Sequence, residues 1–112
     1  MIVAFTSKGK GWESMIDPRF GRTDYFLIYD ESKDKLSAHD NRQIENEAHG
    51  AGPKTAQLLF KLEADVLITG NGPGGNAAAV LEKAGIKIFT GAQSLTVKEA
   101  YRAYQGGKLQ EF

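Results

Sequence analysis

Val66-Leu67-Ile68-Thr69, followed without a break by Gly70-Asn71-Gly72-Pro73-Gly74-Gly75-Asn76, decides the reading of this chain. Val66, Leu67 and Ile68 are consecutive and apolar, and two of them are β-branched, which marks a short strand buried on both faces. The glycine-rich turn stops that strand, and Ala77-Ala78-Ala79-Val80-Leu81 opens an Ala-rich stretch. Residues 76–84 are expected to be helical, with Gly85 as a left-handed cap. A second short apolar run, residues 86–89, comes next. Strand, helix and strand in this succession make a right-handed crossover between parallel strands.

Toward the C-terminus, Thr96 opens a last helix, and Glu99 completes a Thr-x-x-Glu capping box. Gly106-Gly107 ends it. Toward the N-terminus, Gly52-Pro53 opens a helix with Pro in its first turn, and Thr55, Leu58, Leu59 and Leu62 form its apolar stripe. Residues 2–6 are a continuous apolar run and read as a buried central strand. Residues 25–29 are aromatic and β-branched, hence a strand. Residues 30–35 are polar and read as a hairpin turn. Residues 36–41 make a weaker, more polar strand at a sheet edge. The element order is therefore β-β-β-α-β-α-β-α. It predicts an α/β fold with a five-stranded mixed sheet, antiparallel among the first three strands and parallel among the later ones. Ligands of such sheets bind beyond the carboxyl ends of the parallel strands.

At 112 residues, with no repeat or linker, the chain reads as one domain spanning 1–112 and large enough to fold without a staple. Formal net charge is zero, so no global field draws in nucleic acid or an acidic membrane. There is no cysteine, which excludes disulfides, thiolate metal sites and thiol nucleophiles. Any iron–sulfur cluster held here is not held by Cys. No apolar run approaches membrane-spanning length, and the short apolar N-terminus reads as a strand rather than a signal peptide. The expected location is cytoplasmic.

Gly70, Gly72 and Gly75 match the spacing G-x-G-x-x-G. A dinucleotide site also needs an acidic residue at the end of the following strand, and Thr90-Gly91-Ala92-Gln93 stands there instead. Two readings remain: a tight strand-to-helix turn, or a loop whose backbone approaches an anion. Gly52-Pro53-Lys54-Thr55 lacks the glycine that a P-loop places before its lysine, so that motif is rejected. In Asp17-Pro18-Arg19-Phe20-Gly21-Arg22, Arg19 and Arg22 offer donor forks suited to oxyanions or sulfide-rich clusters. The competing reading is a pair of surface arginines bridged to Asp17 and Asp24. His49-Gly50 precedes a helix start, where His49 could ligate a metal, contact an anion or simply cap. His39 has no second ligand near it in sequence. No nucleophile–base pattern and no zinc spacing occurs, so no enzymatic activity is expected.

With these residues assembled, the chain resembles the dinitrogenase iron–molybdenum cofactor biosynthesis family, which includes small cofactor carriers and the C-terminal domain of the precursor-cluster synthase. The resemblance rests on Asp17 to Arg22 with Tyr25-Phe26, on residues 46–52, on residues 66–76, on Ala84-Gly85-Ile86, and on Thr96-Val97-Lys98-Glu99-Ala100 leading to Tyr104 and Gly107-Lys108-Leu109. It implies a ribonuclease-H-like three-layer fold and a binding or carrier role for an anionic metal–sulfur cluster or iron–molybdenum cofactor precursor. The expected site has Arg19 and Arg22 neutralising the anion. Backbone groups of Gly50, Gly72, Gly74, Gly75 and Asn76 cradle it, and His49 is the metal ligand. A cluster donor or acceptor protein is the expected partner, with no nucleic acid and no membrane. One departure is local: carriers linked to nitrogenase often have His-Phe-Gly where this chain has Arg19-Phe20-Gly21, and Arg cannot ligate a metal as His does. The alternatives are a scaffolding module that binds protein without a cluster, and an enzyme acting on a small anion.

Overall fold

The computed structural model describes residues 1–42 and 51–112. Its elements, in chain order, are β1 (Ile2–Ser7), β2 (Tyr25–Asp30), β3 (Lys35–Asp40), α1 (Ala51–Lys61), β4 (Val66–Ile68), α2 (Gly75–Lys83), β5 (Lys87–Thr90), α3 (Val97–Gln105) and β6 (Gln110–Glu111). All strands join one mixed sheet in the order β3-β2-β1-β4-β5-β6. β1 lies antiparallel to β2, from Ile2 opposite Asp30 to Ser7 opposite Tyr25. It lies parallel to β4, with Val3 beside Val66 and Phe5 beside Ile68.

The sheet has six strands where five were expected. The sixth, β6, pairs antiparallel with β5 through Phe89 opposite Glu111 and Thr90 opposite Gln110. Two exposed polar residues carry no hydrophobic alternation, so only their backbone pairing reveals a strand. Smaller shifts of boundary also occur. β3 begins at Lys35, α2 at Gly75, and β5 runs one residue later than the apolar run at 86–89.

Alternation along the strands divides the core between the two faces of the sheet. On one face Ala4, Phe26, Ile28, Leu67 and Ile88 meet Ala56 and Leu59 of α1 and Ala77 and Leu81 of α2. On the other, Val3, Phe5, Leu27, Val66 and Ile68 meet Ile16 and Val97 and Ala100 of α3. The caps are as the sequence predicts. Glu99 N–H donates to Thr96 Oγ1 at 3.2 Å, and Thr96 N–H donates to Glu99 Oε1 at 2.9 Å. Gly85 adopts φ +77° after α2. Two further donors at the start of α3, the N–H groups of Val97 and Lys98, reach the carbonyls of Ser14 and Trp12 at 2.8 and 3.0 Å. The segment after β1 is thereby strapped across the N-terminus of α3.

Candidate ligand site

Three loops meet where the parallel strands end. Thr6, near the end of β1, donates its hydroxyl to the Asp17 carbonyl at 2.6 Å and shares a hydrogen bond with Thr69 Oγ1 at 2.9 Å. Asn71 N–H donates to the Pro18 carbonyl at 2.8 Å, and Gly91 N–H to the Gly70 carbonyl at 3.0 Å. The Asp17–Arg22 loop, the glycine loop and the turn after β5 are therefore joined backbone to backbone at one edge. That edge is where ligands of such sheets bind.

Asp17 organises the first loop. It is fully buried. Its Oδ1 accepts from Arg19 N–H at 3.0 Å and from Arg19 Nε at 3.1 Å. Its Oδ2 accepts from Arg19 Nη2 at 3.0 Å and from Asp24 N–H at 3.2 Å. Burial pushes the Asp17 carboxyl up. The hydrogen bonds from the Arg19 side chain, from the backbone of Arg19 and Asp24, and the Arg19 charge together outweigh it and hold the carboxyl below its ordinary value. Arg19 Nη2 also stands 3.6 Å from Asp24 Oδ1. The bridge to Asp17 and Asp24 is thus present, and two carboxylates offset the Arg19 charge locally. Phe20 anchors the loop from beneath, buried edge-to-face against Phe26 at 5.7 Å. The Gly21 carbonyl accepts from Thr55 Oγ1 of α1 at 3.4 Å and from Asn41 Nδ2 at 3.2 Å. Asn41 is buried, and its Oδ1 finds no partner among the described residues.

The glycines of the second loop differ in kind. A Cβ on Gly70 would lie 2.6 Å from Pro18 Cα, so that glycine permits the contact between loops. A Cβ on Gly72 would strike the ring of Phe112. Around Gly74 and Gly75 nothing lies within 4 Å of such an atom, and neither has a positive φ. Gly74 is the N-cap of α2, no side chain caps the helix, and no acidic residue stands in its first turn. Gly72, Gly74, Gly75 and Asn76 are all exposed. The result is a bare helix N-terminus, whose free N–H groups suit an anion.

Of the residues the sequence singles out, the fold brings Arg19, Arg22 and Gly72 in loops, and Gly74, Gly75 and Asn76 at the start of α2, to the same edge of the sheet. His49 and Gly50 lie outside the described residues. His39 sits apart in β3, opposite Phe26. Among the described residues no three His, Asp or Glu side chains converge as metal ligands. The contacts that sequence reasoning missed are Thr6 with Thr69, Asn41 with Gly21, and Phe112 with Gly72. Each joins residues distant along the chain, so no local pattern could have signalled them.

The model of a family described as dinitrogenase iron–molybdenum cofactor matches residues 1–107. Among solved structures, the apo form of the orange protein from Desulfovibrio gigas is similar, with 35% identity and a TM-score of 0.93 over 99% of this chain and 92% of that one. An NMR structure from Thermotoga, assigned as a NifB protein, is 38% identical with a TM-score of 0.84, over 98% of this chain and 91% of that one. No curated protein gives a match to the sequence.

Proposed function

The chain belongs to the dinitrogenase iron–molybdenum cofactor family, and from that premise we propose that it is a non-catalytic carrier. It holds an anionic metal–sulfur cluster, or a precursor of the iron–molybdenum cofactor, and passes it between a donor and an acceptor protein. The observation that carries this reading is the uncapped start of α2. Gly74 and Gly75 have no packing reason to be glycine, and they leave backbone N–H groups open beside the Asp17–Arg22 loop. A relative solved as an apo form is in keeping with a protein that takes a bound group.

The donor set indicates how such a cargo would be held. The chain has no cysteine, and the described residues offer no ready metal cage. They fit a complete anion gripped by hydrogen bonds and charge. Gly72, Gly74, Gly75 and Asn76 would face it, with Arg22 supplying charge. Arg19 adds its charge from the clasp with Asp17 and Asp24. His49, with Gly50 beside it, is the side chain we assign to any direct bond to metal. The hydrogen bond from Thr55 to Gly21 holds α1 beside the same loop.

β1 carries no carboxylate that could hold a catalytic metal, and the sequence shows no nucleophile–base pattern, so we read the role as one without catalysis. Helices on both faces of a sheet centred on β1 support the ribonuclease-H-like reading. Among the described residues no helix is long and apolar enough to cross a membrane, and we place the carrier in the cytoplasm. The test is an anaerobic titration of the full chain with isolated iron–molybdenum cofactor, followed by visible absorption and metal analysis. Saturable binding is expected, together with its loss in Gly75→Val at nearly unchanged Tm. Absence of binding, or equal loss of binding and Tm in the variant, would sink the reading.

A further inference from the structure

On the α3 face of the sheet, a cleft of about 410 Å³ opens between α3, the β2–β3 turn and residues 12–13. The glycine loop is not part of it. Three aromatic rings form its apolar wall. Trp12 and Tyr29 meet nearly edge to face at 4.9 Å, Tyr29 and Tyr101 at 5.3 Å, and Trp12 and Tyr101 are tilted at 5.9 Å. The phenolic groups are already engaged. Tyr29 donates to Asp34 Oδ1 at 2.6 Å, and Tyr101 donates to Glu31. These bonds fix the rings, so the π-surface and not the hydroxyls is available to a ligand.

The rim is asymmetric. Lys98 and Arg102 stand one turn apart on α3, flanking Tyr101. Among the described residues neither forms an ion pair. Of the two carboxylates in the lining, Asp34 stands on the facing β2–β3 turn and keeps its charge while accepting from Tyr29, and Glu13 lies in the segment after β1. The lining therefore balances two cations against two carboxylates, but both cations stand on α3 beside Tyr101, so positive charge is concentrated at that wall. A guanidinium fork suits a planar or tetrahedral oxyanion. An ammonium would meet the two cations at that position. The volume lies within the range of small-molecule sites.

We propose that this cleft is a second binding site, for a planar aromatic molecule bearing an oxyanion, whether phosphate or carboxylate. The ring packs against Trp12 and Tyr101, and the oxyanion is held by Arg102 and Lys98. The site is separate from the cluster site and does not rest on it. Trp12 is the sole tryptophan of the chain, so its emission reports directly on occupancy.

The experiment titrates the full chain with adenosine 5′-monophosphate and, in a parallel arm, with phenylacetate, exciting Trp12 selectively. Saturable change of emission in either arm is expected, and the stronger arm identifies the preferred oxyanion. Adenosine and inorganic phosphate, each lacking one half of the ligand, should bind about ten-fold more weakly. The Lys98→Ala/Arg102→Ala variant removes only exposed side chains. It should keep its Tm and lose about ten-fold in affinity. No saturable change with either probe, an unchanged affinity in the double variant, or tighter binding of phenethylamine would overturn the proposal.

Discussion

A side chain on Gly70 or Gly72 would strike a neighbour, whereas Gly74 and Gly75, two to five residues further on, have nothing in reach. The first pair is explained by neighbours, a proline backbone for Gly70 and an aromatic ring for Gly72. The second pair is explained by nothing inside the molecule. A glycine-rich motif is thus two features laid end to end, one that lets two loops touch and one that leaves a helix end uncovered. Gly72 is exposed along with Gly74 and Gly75, but only the second feature leaves a helix end uncovered.

The contrast is broken most forcefully at Gly70. Gly70→Val must push the Pro18 backbone away, and we expect a loss of about 3 kcal/mol, measured by urea unfolding. A loss no larger than that of Gly74→Ala would show that the loops are not pressed together. Next is Asp17→Asn, which turns an amide donor toward groups that already donate. About 2 kcal/mol should be lost at neutral pH. Its pH dependence has a definite sign. Because the folded carboxyl titrates below its ordinary value of 3.8, its stabilisation is fully present above that value and drains as pH falls through the folded one. Wild type should therefore lose more stability than Asp17→Asn between about pH 5 and pH 3. Parallel curves would remove Asp17 as the loop's organiser.

Gly72→Ala sharpens the comparison from its weak side. The atom in the way belongs to the end of Phe112, a side chain 56% exposed, which can swing aside. We expect a cost of about 0.5 kcal/mol, with shifted ring resonances in the NMR spectrum. Smallest are Gly74→Ala and Gly75→Ala, which should move stability by no more than about 0.5 kcal/mol, with Gly75→Ala toward gain because alanine favours a helix. The carrier reading predicts that these near-silent changes reduce binding of isolated iron–molybdenum cofactor, measured by anaerobic titration, more than Gly72→Ala does.

Much of this was legible because its causes are local. The apolar run of β1, the Thr96–Glu99 capping box and the left-handed Gly85 each depend on residues within one turn or one strand. The site was legible only as a set of loops. That Asp17 clasps Arg19 follows from spacing, but that Asp17 is buried follows from Thr6 and the strands behind it. Trp12 packs against Tyr29 and Tyr101. No periodicity links these three rings. The glycine loop reads as uniform because the atoms that distinguish its members belong to Pro18 and Phe112, far away along the chain. β6 is silent for a different reason, since two exposed polar residues can pair by backbone alone.

The two neighbours of β1 carry a consequence for how the chain reaches this structure. β2 and β3 follow within the first forty residues and form a meander with β1, so closing those loops costs little entropy. The β4 register brings Val3 to Val66, and the Thr6–Thr69 hydrogen bond spans 63 positions. Contacts of such separation form slowly and late. The meander should therefore assemble first, with the parallel half docking onto its open β1 edge in the rate-limiting step. Folding rate would then respond to substitutions in Val66 and Leu67 more than to those at the β3 edge.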